Sequence, residues 1–231
     1  MITAEFCCLD ASAFSLGFAA AHGGTLLLEK SENGISDYVN AVIPGSVSAP
    51  VSDEGKAFAD FLKKSGCVSE SGLLDSPSLA PAAAEYALNF DIILNATVIS
   101  IEKADGGYKI LIHTNGGLQK VFCRQIICRP TTPNNIKFLN CVVSGTDLKT
   151  LLRLKEYGAI INESFEKDEF IISLPFEPQC NMNEARIRFT EIMKKCFGTS
   201  VIIDAFAADF AVGSACGDII KDFEAGVGFN L

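Results

Sequence analysis

Along residues 5 to 30, EFCCLDASAFSLGFAAAHGGTLLLEK, two short apolar runs flank a stretch that is small or apolar on every side. Glu5 to Leu9 reads as a buried strand closed by a turn. Ala11 to Ala21 reads as a helix packed between layers. His22-Gly23-Gly24 ends it, because glycine most readily takes the left-handed backbone of a helix stop. Thr25 to Leu28 is a second buried strand with Glu29 at its carboxyl end. Such a crossover is normally right-handed and leaves its two strands adjacent and parallel.

A polar connection rich in Gly, Ser and Pro follows. Residues 54 to 64 then place Ala57, Phe58, Phe61 and Leu62 on one helical face. A second helix is predicted from about Leu79 to Leu88, beginning after Ser78 with Pro81 in its first turn, where proline is tolerated. The strongest strand pattern is DIILNATVISIEKADGGYKILIHTNGGLQKVFCRQIICRPTT, in which Asp105-Gly106-Gly107 and Asn115-Gly116-Gly117 are hairpin turns. It predicts a β-meander leading into one more buried strand, Gln125 to Cys128. Apolar runs at 138–143, 158–162, 169–175 and 200–207 predict further strands. Between the last two runs lies a helix, Asn183 to Phe197, with Ala185, Phe189, Ile192, Met193 and Cys196 inward and Arg186, Arg188, Lys194 and Lys195 on a solvated face. The expected fold class is α/β: a Rossmann-like parallel sheet with a β-meander and a second, smaller α+β substrate-like unit.

Composition narrows the chemistry. The 231 residues, 48% hydrophobic and 20% charged, suffice for a sizeable core. The formal charge of −9 argues against a nucleic-acid or anionic-membrane surface. The first residues carry no signal-peptide pattern, and no apolar run is long enough to span a membrane. The nine cysteines form no CxxC pair; Cys7 and Cys8 lie inside an apolar run, and Cys123 and Cys128 have no other ligands nearby. They are expected to be reduced, buried thiols of a cytoplasmic protein, with no metal site. The two histidines are expected to be structural, His22 at a helix end and His113 on an exposed strand face. No Ser-His-Asp, Cys-His, HExxH or P-loop arrangement marks a catalytic set, and the catalytic residues are unknown.

The order of elements resembles the FAD-dependent oxidoreductases of the glutathione-reductase-like FAD/NAD(P)-binding fold, especially those with a substrate domain inserted in the FAD domain. Three stretches carry the resemblance: the opening strand–helix–strand, the meander with its return strand, and the final SACGDIIKDFEAGVGFNL. It implies an FAD/NAD(P)-binding-like domain over 1–137 and 209–231, with a substrate-like domain inserted at 138–208. It implies FAD as cofactor, with Glu29 at the adenosine ribose, Val98 contacting the adenine through its backbone, and Asp218 on the flavin ribitol. Where that family writes GxGxxG, this chain writes LDASAFSLG, so the chain is divergent and shortened. Depending on register, Asp10, Ser12 and Ser15, or Cys7, Leu9 and Ser12, take the places of glycines that make the tight turn, admit the pyrophosphate and let helix and strand touch. An aspartate there repels a diphosphate. The return strand ends in Arg129-Pro130-Thr131-Thr132 instead of Ala-Thr-Gly.

Each candidate has a plainer role beside it. Glu29 is either a ribose ligand or a solvated strand terminus beside Lys30. Asp218 is either a ribitol ligand or a helix cap. Ser12 and Ser15 either donate to phosphate or pack and cap a helix start. The functional expectation is redox transfer between FAD and a small organic substrate of unknown identity. Its alternative is a non-catalytic relative that keeps the fold as a binding or assembly module. A third possibility is a domain for another nucleotide with fewer phosphates. Oligomeric state is not legible.

Overall fold

A computed structural model describes residues 1–129, 136–198 and 201–231. The expected Pro130 to Thr132 stretch and the first position of the 200–207 run lie outside the described residues. The chain runs β1 (Ile2–Cys8), α1 (Ala13–Ala21), β2 (Thr25–Leu28), α2 (Ser36–Val39), β3 (Gly45–Ser46), α3 (Asp53–Lys64), α4 (Ser76–Ala87), β4 (Asp91–Ile93), β5 (Thr97–Ala104), β6 (Gly107–Thr114) and β7 (Gly117–Ile127). It continues through β8 (Lys137–Ser144), α5 (Leu148–Leu151), a 3-10 helix (Leu152–Tyr157), β9 (Ile160–Glu163), β10 (Phe170–Phe176) and α6 (Met182–Phe197). The last elements are β11 (Ile202–Phe206), β12 (Ala211–Val212), β13 (Gly217–Asp218) and α7 (Ile219–Val227).

A six-stranded sheet has the order β4-β2-β1-β7-β6-β5. β1 pairs in parallel with β2, as expected, and with β7; β2 pairs in parallel with β4, and β5, β6 and β7 form the antiparallel meander. The return strand predicted at Gln125 is not separate. β7 runs unbroken for eleven residues, so one strand closes the meander and completes the parallel sheet. One face of the sheet, through Cys8, Leu27 and Ile127, packs on Phe14 and Phe18 of α1, Phe58 of α3 and Phe223 of α7. A second cluster joins Cys7, Leu26 and Leu28 to Ile110, Ile112, Val121 and Cys123 of the meander.

The second sheet is antiparallel, β11-β8-β10-β9, with β12 also on β8. Its Leu139, Cys141, Ile172 and Leu174 bury against Ala185, Phe189 and Met193 of α6, the face expected from the spacing. On that helix Arg186 departs from the solvated face, reaching the Ala207 carbonyl at 2.8 Å. The architecture is therefore mixed α/β: one sheet with parallel strands and a separate antiparallel sheet.

Local chemistry shifted several bounds. α4 starts at Ser76, three residues earlier than expected, because Pro77 takes the tolerated first turn and Pro81 lies inside. α1 starts at Ala13, two residues later than expected, since Ser12 is extended (φ −62°, ψ 166°) and caps the amide of Ser15. α2 lies in the connection read as polar and irregular.

Helix α1 crosses α7 at backbone distance. A Cβ at Gly17 would sit 1.9 Å from the Phe223 carbonyl oxygen, and one at Gly226 would sit 1.9 Å from that of Phe14. Either position therefore admits hydrogen alone. Gly17→Ala and Gly226→Ala are each expected to lower unfolding stability by about 1–3 kcal/mol through overpacking. Gly23→Ala, with nothing within 4 Å of its Cβ, is expected to leave stability nearly unchanged. Urea unfolding of the three variants measures the contrast.

Candidate functional site

In a parallel sheet flanked by helices, ligands bind beyond the carboxyl ends of the strands, where the chain leaves one strand in opposite directions. Here that place is the end of β1, between β2 and β7, at the amino end of α1. A helix start offers unpaired amides and a partial positive charge to an anion.

Three consecutive amides at this turn already meet three carboxylates of the chain itself. Ala11 donates to Glu29 Oε2 at 2.9 Å, Ser12 to Asp10 Oδ1 at 3.1 Å and Ala13 to Asp37 Oδ1 at 3.3 Å. Asp10 Oδ1 also accepts from the Ser12 hydroxyl at 2.8 Å and from the Ser15 hydroxyl. Ser12 and Ser15 are both buried and both turned toward this aspartate and the helix start.

Glu29 is the most enclosed of these acids, at 1% exposure. Besides Ala11 it accepts from the Ser31 amide at 2.8 Å and the Ser36 hydroxyl at 2.8 Å. The solvated strand terminus expected as its plainer role is overturned. Its neighbour Lys30 turns outward to Asp209 at 2.6 Å, while Glu29 turns inward because the loops after β1 and β2 bring donors that need a buried acceptor.

Asp37 and Asp222 flank Arg129, at 3.5 Å and 2.5 Å, and Asp222 also accepts from the Tyr38 hydroxyl at 2.7 Å. Burial raises the Asp37 carboxyl to about 7; Arg129 opposes the shift and Asp222 and Asp10 add to it. Sequence reasoning noted Asp10 and Arg129 as departures but did not see Asp37, Asp222 or Tyr38. Their approach depends on α2 and α7 folding back onto the β1 turn.

Asp218 caps α7, accepting from the amides of Ile220 at 3.1 Å and Lys221 at 3.2 Å, and from the Ser48 hydroxyl at 3.1 Å. The cap was one of its two expected roles. Val98 stands on β5 opposite Ile112, its side chain against the cluster of Leu26, Leu28 and Ala96. Glu29, Ser12 and Ser15 are thus brought together around the β1 turn, and Asp218 and Val98 belong to other contacts. His113 is exposed, and His22 stacks on Phe18 with ring centroids 4.2 Å apart.

Among the described residues, no group of three His, Cys, Asp or Glu side chains could hold a metal ion, and no helix is long and apolar enough to cross a membrane. Burial raises the thiol of Cys7 and pushes that of Cys8 up to about 12, which keeps both protonated at neutral pH.

Asn140 of β8 is fully buried and donates to the carbonyl of Ala41, after α2, at 2.8 Å, and the Asn40 carbonyl accepts from the amides of Ala208 at 2.7 Å and Asp209 at 3.0 Å. A cavity of about 400 Å³ is lined by Pro44, Leu74, Asn162, Ile171 and Cys216 among others. A larger one, about 730 Å³, lies at the amino ends of β1 and β2, away from the expected ligand side.

The group to test against the turn is an FAD pyrophosphate with its adenosine ribose. In the arrangement seen, the pyrophosphate meets Asp10 and Asp37 on the amides it would need, and the ribose meets an acid whose oxygens are engaged by Ala11, Ser31 and Ser36. These residues, so arranged, do not fit the group.

Glu29→Gln is expected to lower stability by about 2 kcal/mol, the scale of hydrogen bonds to a charged acceptor. A thermal melt without any nucleotide reads this. An unchanged melting curve would show the carboxylate to be free of a structural role.

Solved structures share this fold. p-Nitrophenol 4-monooxygenase PnpA from Pseudomonas putida superposes with a TM-score of 0.54 at 12% identity, covering 89% of this chain and 67% of that one. The OxyS anhydrotetracycline hydroxylase from Streptomyces rimosus gives 0.55 at 10% identity, covering 98% and 60%. The rebeccamycin biosynthetic enzyme RebC, solved with reduced flavin, gives 0.50 at 12% identity, covering 89% and 51%. The chain spans between about half and two thirds of the length of these proteins. No family model and no curated protein matches the sequence. What the likeness establishes is the fold.

Proposed function

We propose that the chain is a divergent relative of the FAD-dependent oxidoreductases that keeps their fold as a binding or assembly module. The observation that carries this reading is the run of amides Ala11, Ser12 and Ala13, each donating to a carboxylate of the chain itself. An incoming diphosphate finds negative charge where the fold would offer positive charge, and dislodging Glu29 leaves buried donors without an acceptor. The direct contacts of Asn40 and Ala41, after α2, with Asn140, Ala208 and Asp209 tie that connection to the second sheet by hydrogen bonds of the chain itself.

The second reading is a flavoenzyme of glutathione-reductase-like type, with FAD passing a hydride or electron pair to or from a small organic substrate. It is favoured by the fold shared with two hydroxylase or monooxygenase structures and with RebC, which was solved with reduced flavin. Under it Ser12, Ser15, Glu29, Val98 and Asp218 would serve FAD after a rearrangement of the β1 turn.

An absorbance spectrum separates the two. The purified protein is incubated with FAD, desalted and acid-denatured, and the supernatant is read. The module reading expects a colourless protein that releases no flavin. Stoichiometric release would overturn it, and screening of small organic substrates for turnover would then test the flavoenzyme reading.

A further inference from the structure

The guanidinium of Arg129, at the end of β7, stands where three segments bring acids together. Asp37 comes from α2, Asp222 from α7 and Asp10 from the β1 turn. Glu29 lies next to this group, joined through the hydroxyl of Ser36 beside Asp37, and Tyr38 reaches Asp222. Among the described residues, Arg129 alone pairs with these carboxylates, which exceed it in number. The Asp37 carboxylate is only partly satisfied. Its Oδ1 accepts from Ala13, but its Oδ2 is shut from solvent and has no hydrogen-bond partner among the described residues, with Arg129 Nη1 3.5 Å away. A buried carboxylate oxygen without a donor costs free energy as an anion and far less as a carboxyl group.

We infer that Asp37 is a proton-operated joint, which holds α1, α2, α7 and the end of β7 together when its carboxyl is protonated and loosens them when it ionises. Protonated, Asp37 leaves Arg129 to Asp222 and removes one of the crowded negative charges. Ionised, it restores the crowding at the start of α1. The inference rests on the reading that these carboxylates, and no diphosphate, fill the turn, and it adds a pH response to that site.

The direction follows from linkage. A carboxyl raised to about 7 in the folded state binds its proton more tightly there than in the unfolded chain. Its contribution to stability is complete below the ordinary carboxylate range and is lost as the pH rises through about 7. Thermal melts of the whole chain from pH 5 to 8, without nucleotide, test this. The wild-type midpoint is expected to fall by several degrees toward pH 8. Asp37→Asn, which fixes the neutral form, is expected to flatten that fall. The two histidines remain in the variant, so their share of the slope remains with them.

Asp222→Asn removes a charge that helps to raise Asp37, and is expected to move the fall to lower pH. This keeps the inference testable if Asp37→Asn does not fold. Amide exchange at residues 13–16, corrected for its intrinsic pH dependence, is expected to quicken above pH 7 in the wild type alone. A flat wild-type profile, or an equal slope in Asp37→Asn, would overturn the inference. Flavin uptake bears on the module reading instead, so the two failures are distinguishable: the spectrum decides one and the pH slope the other.

Discussion

Two glycines, one on each helix of a packed pair, set the geometry of the larger sheet's helical face. With Gly17 against Phe223 and Gly226 against Phe14, α1 and α7 approach until backbone meets backbone. That closeness puts the first turns of α7 beside the turn after β1. Its acids then reach in several directions: Asp218 to Ser48, Asp222 to Tyr38 and Arg129, and Glu224 to the amides of Val51 at 2.7 Å and Ser52 at 2.9 Å. α7 acts as a strap across these segments, and the stacked rings of Phe58 and Phe223, 4.4 Å apart, continue it to α3.

The charge balance of the β1 turn follows from this placement. A helix start packed against a sheet needs acceptors for its first amides, and water, a ligand or side chains can supply them. This chain supplies side chains: Asp10 from the loop itself, Glu29 from the end of β2, and Asp37 from α2. The anions are covalently part of the molecule, so their local concentration is fixed and no free ligand competes with them on equal terms. The shared fold and a turn filled from within thus coexist, because the sheet order and helix packing do not depend on what sits at the helix start.

Much of the architecture was legible in the residues. The β1, α1 and β2 segments announce themselves through short apolar runs around a small-residue helix, and the two Gly-Gly turns mark the meander because hairpins demand positive φ at Gly106 and Gly117. The inward face of α6 follows from spacing alone. α2 was hidden because Ser36 to Val39 lies in a Gly- and Ser-rich stretch and is a single short turn. The site was legible in half. Asp10 in place of a glycine declares itself as hostile to a diphosphate, and Asp218 reads as a cap from its Gly-Asp context. Glu29 reads as a strand-end acid, but its burial depends on Ser31 and Ser36 folding back over it. Asp37, Tyr38 and Asp222 carry no local pattern, since Asp37 and Asp222 meet Arg129, and Tyr38 meets Asp222, only once α2 and α7 are folded against the end of β7.

The glycine contact also has a temporal side. Gly17 and Gly226 are separated by roughly 200 residues, and at the usual pace of synthesis that interval is on the order of 10 to 40 seconds. Throughout it, Phe14 and Phe18 of the nascent chain lack the helix that covers them, and the acids that brace the β1 turn from α7 have not been made. The second sheet is assembled from a compact stretch of sequence between those two moments, so it can condense while the first waits. Contacts so distant along the chain slow folding in general. For this molecule the helical cover of the larger sheet is complete only once α7 has been made.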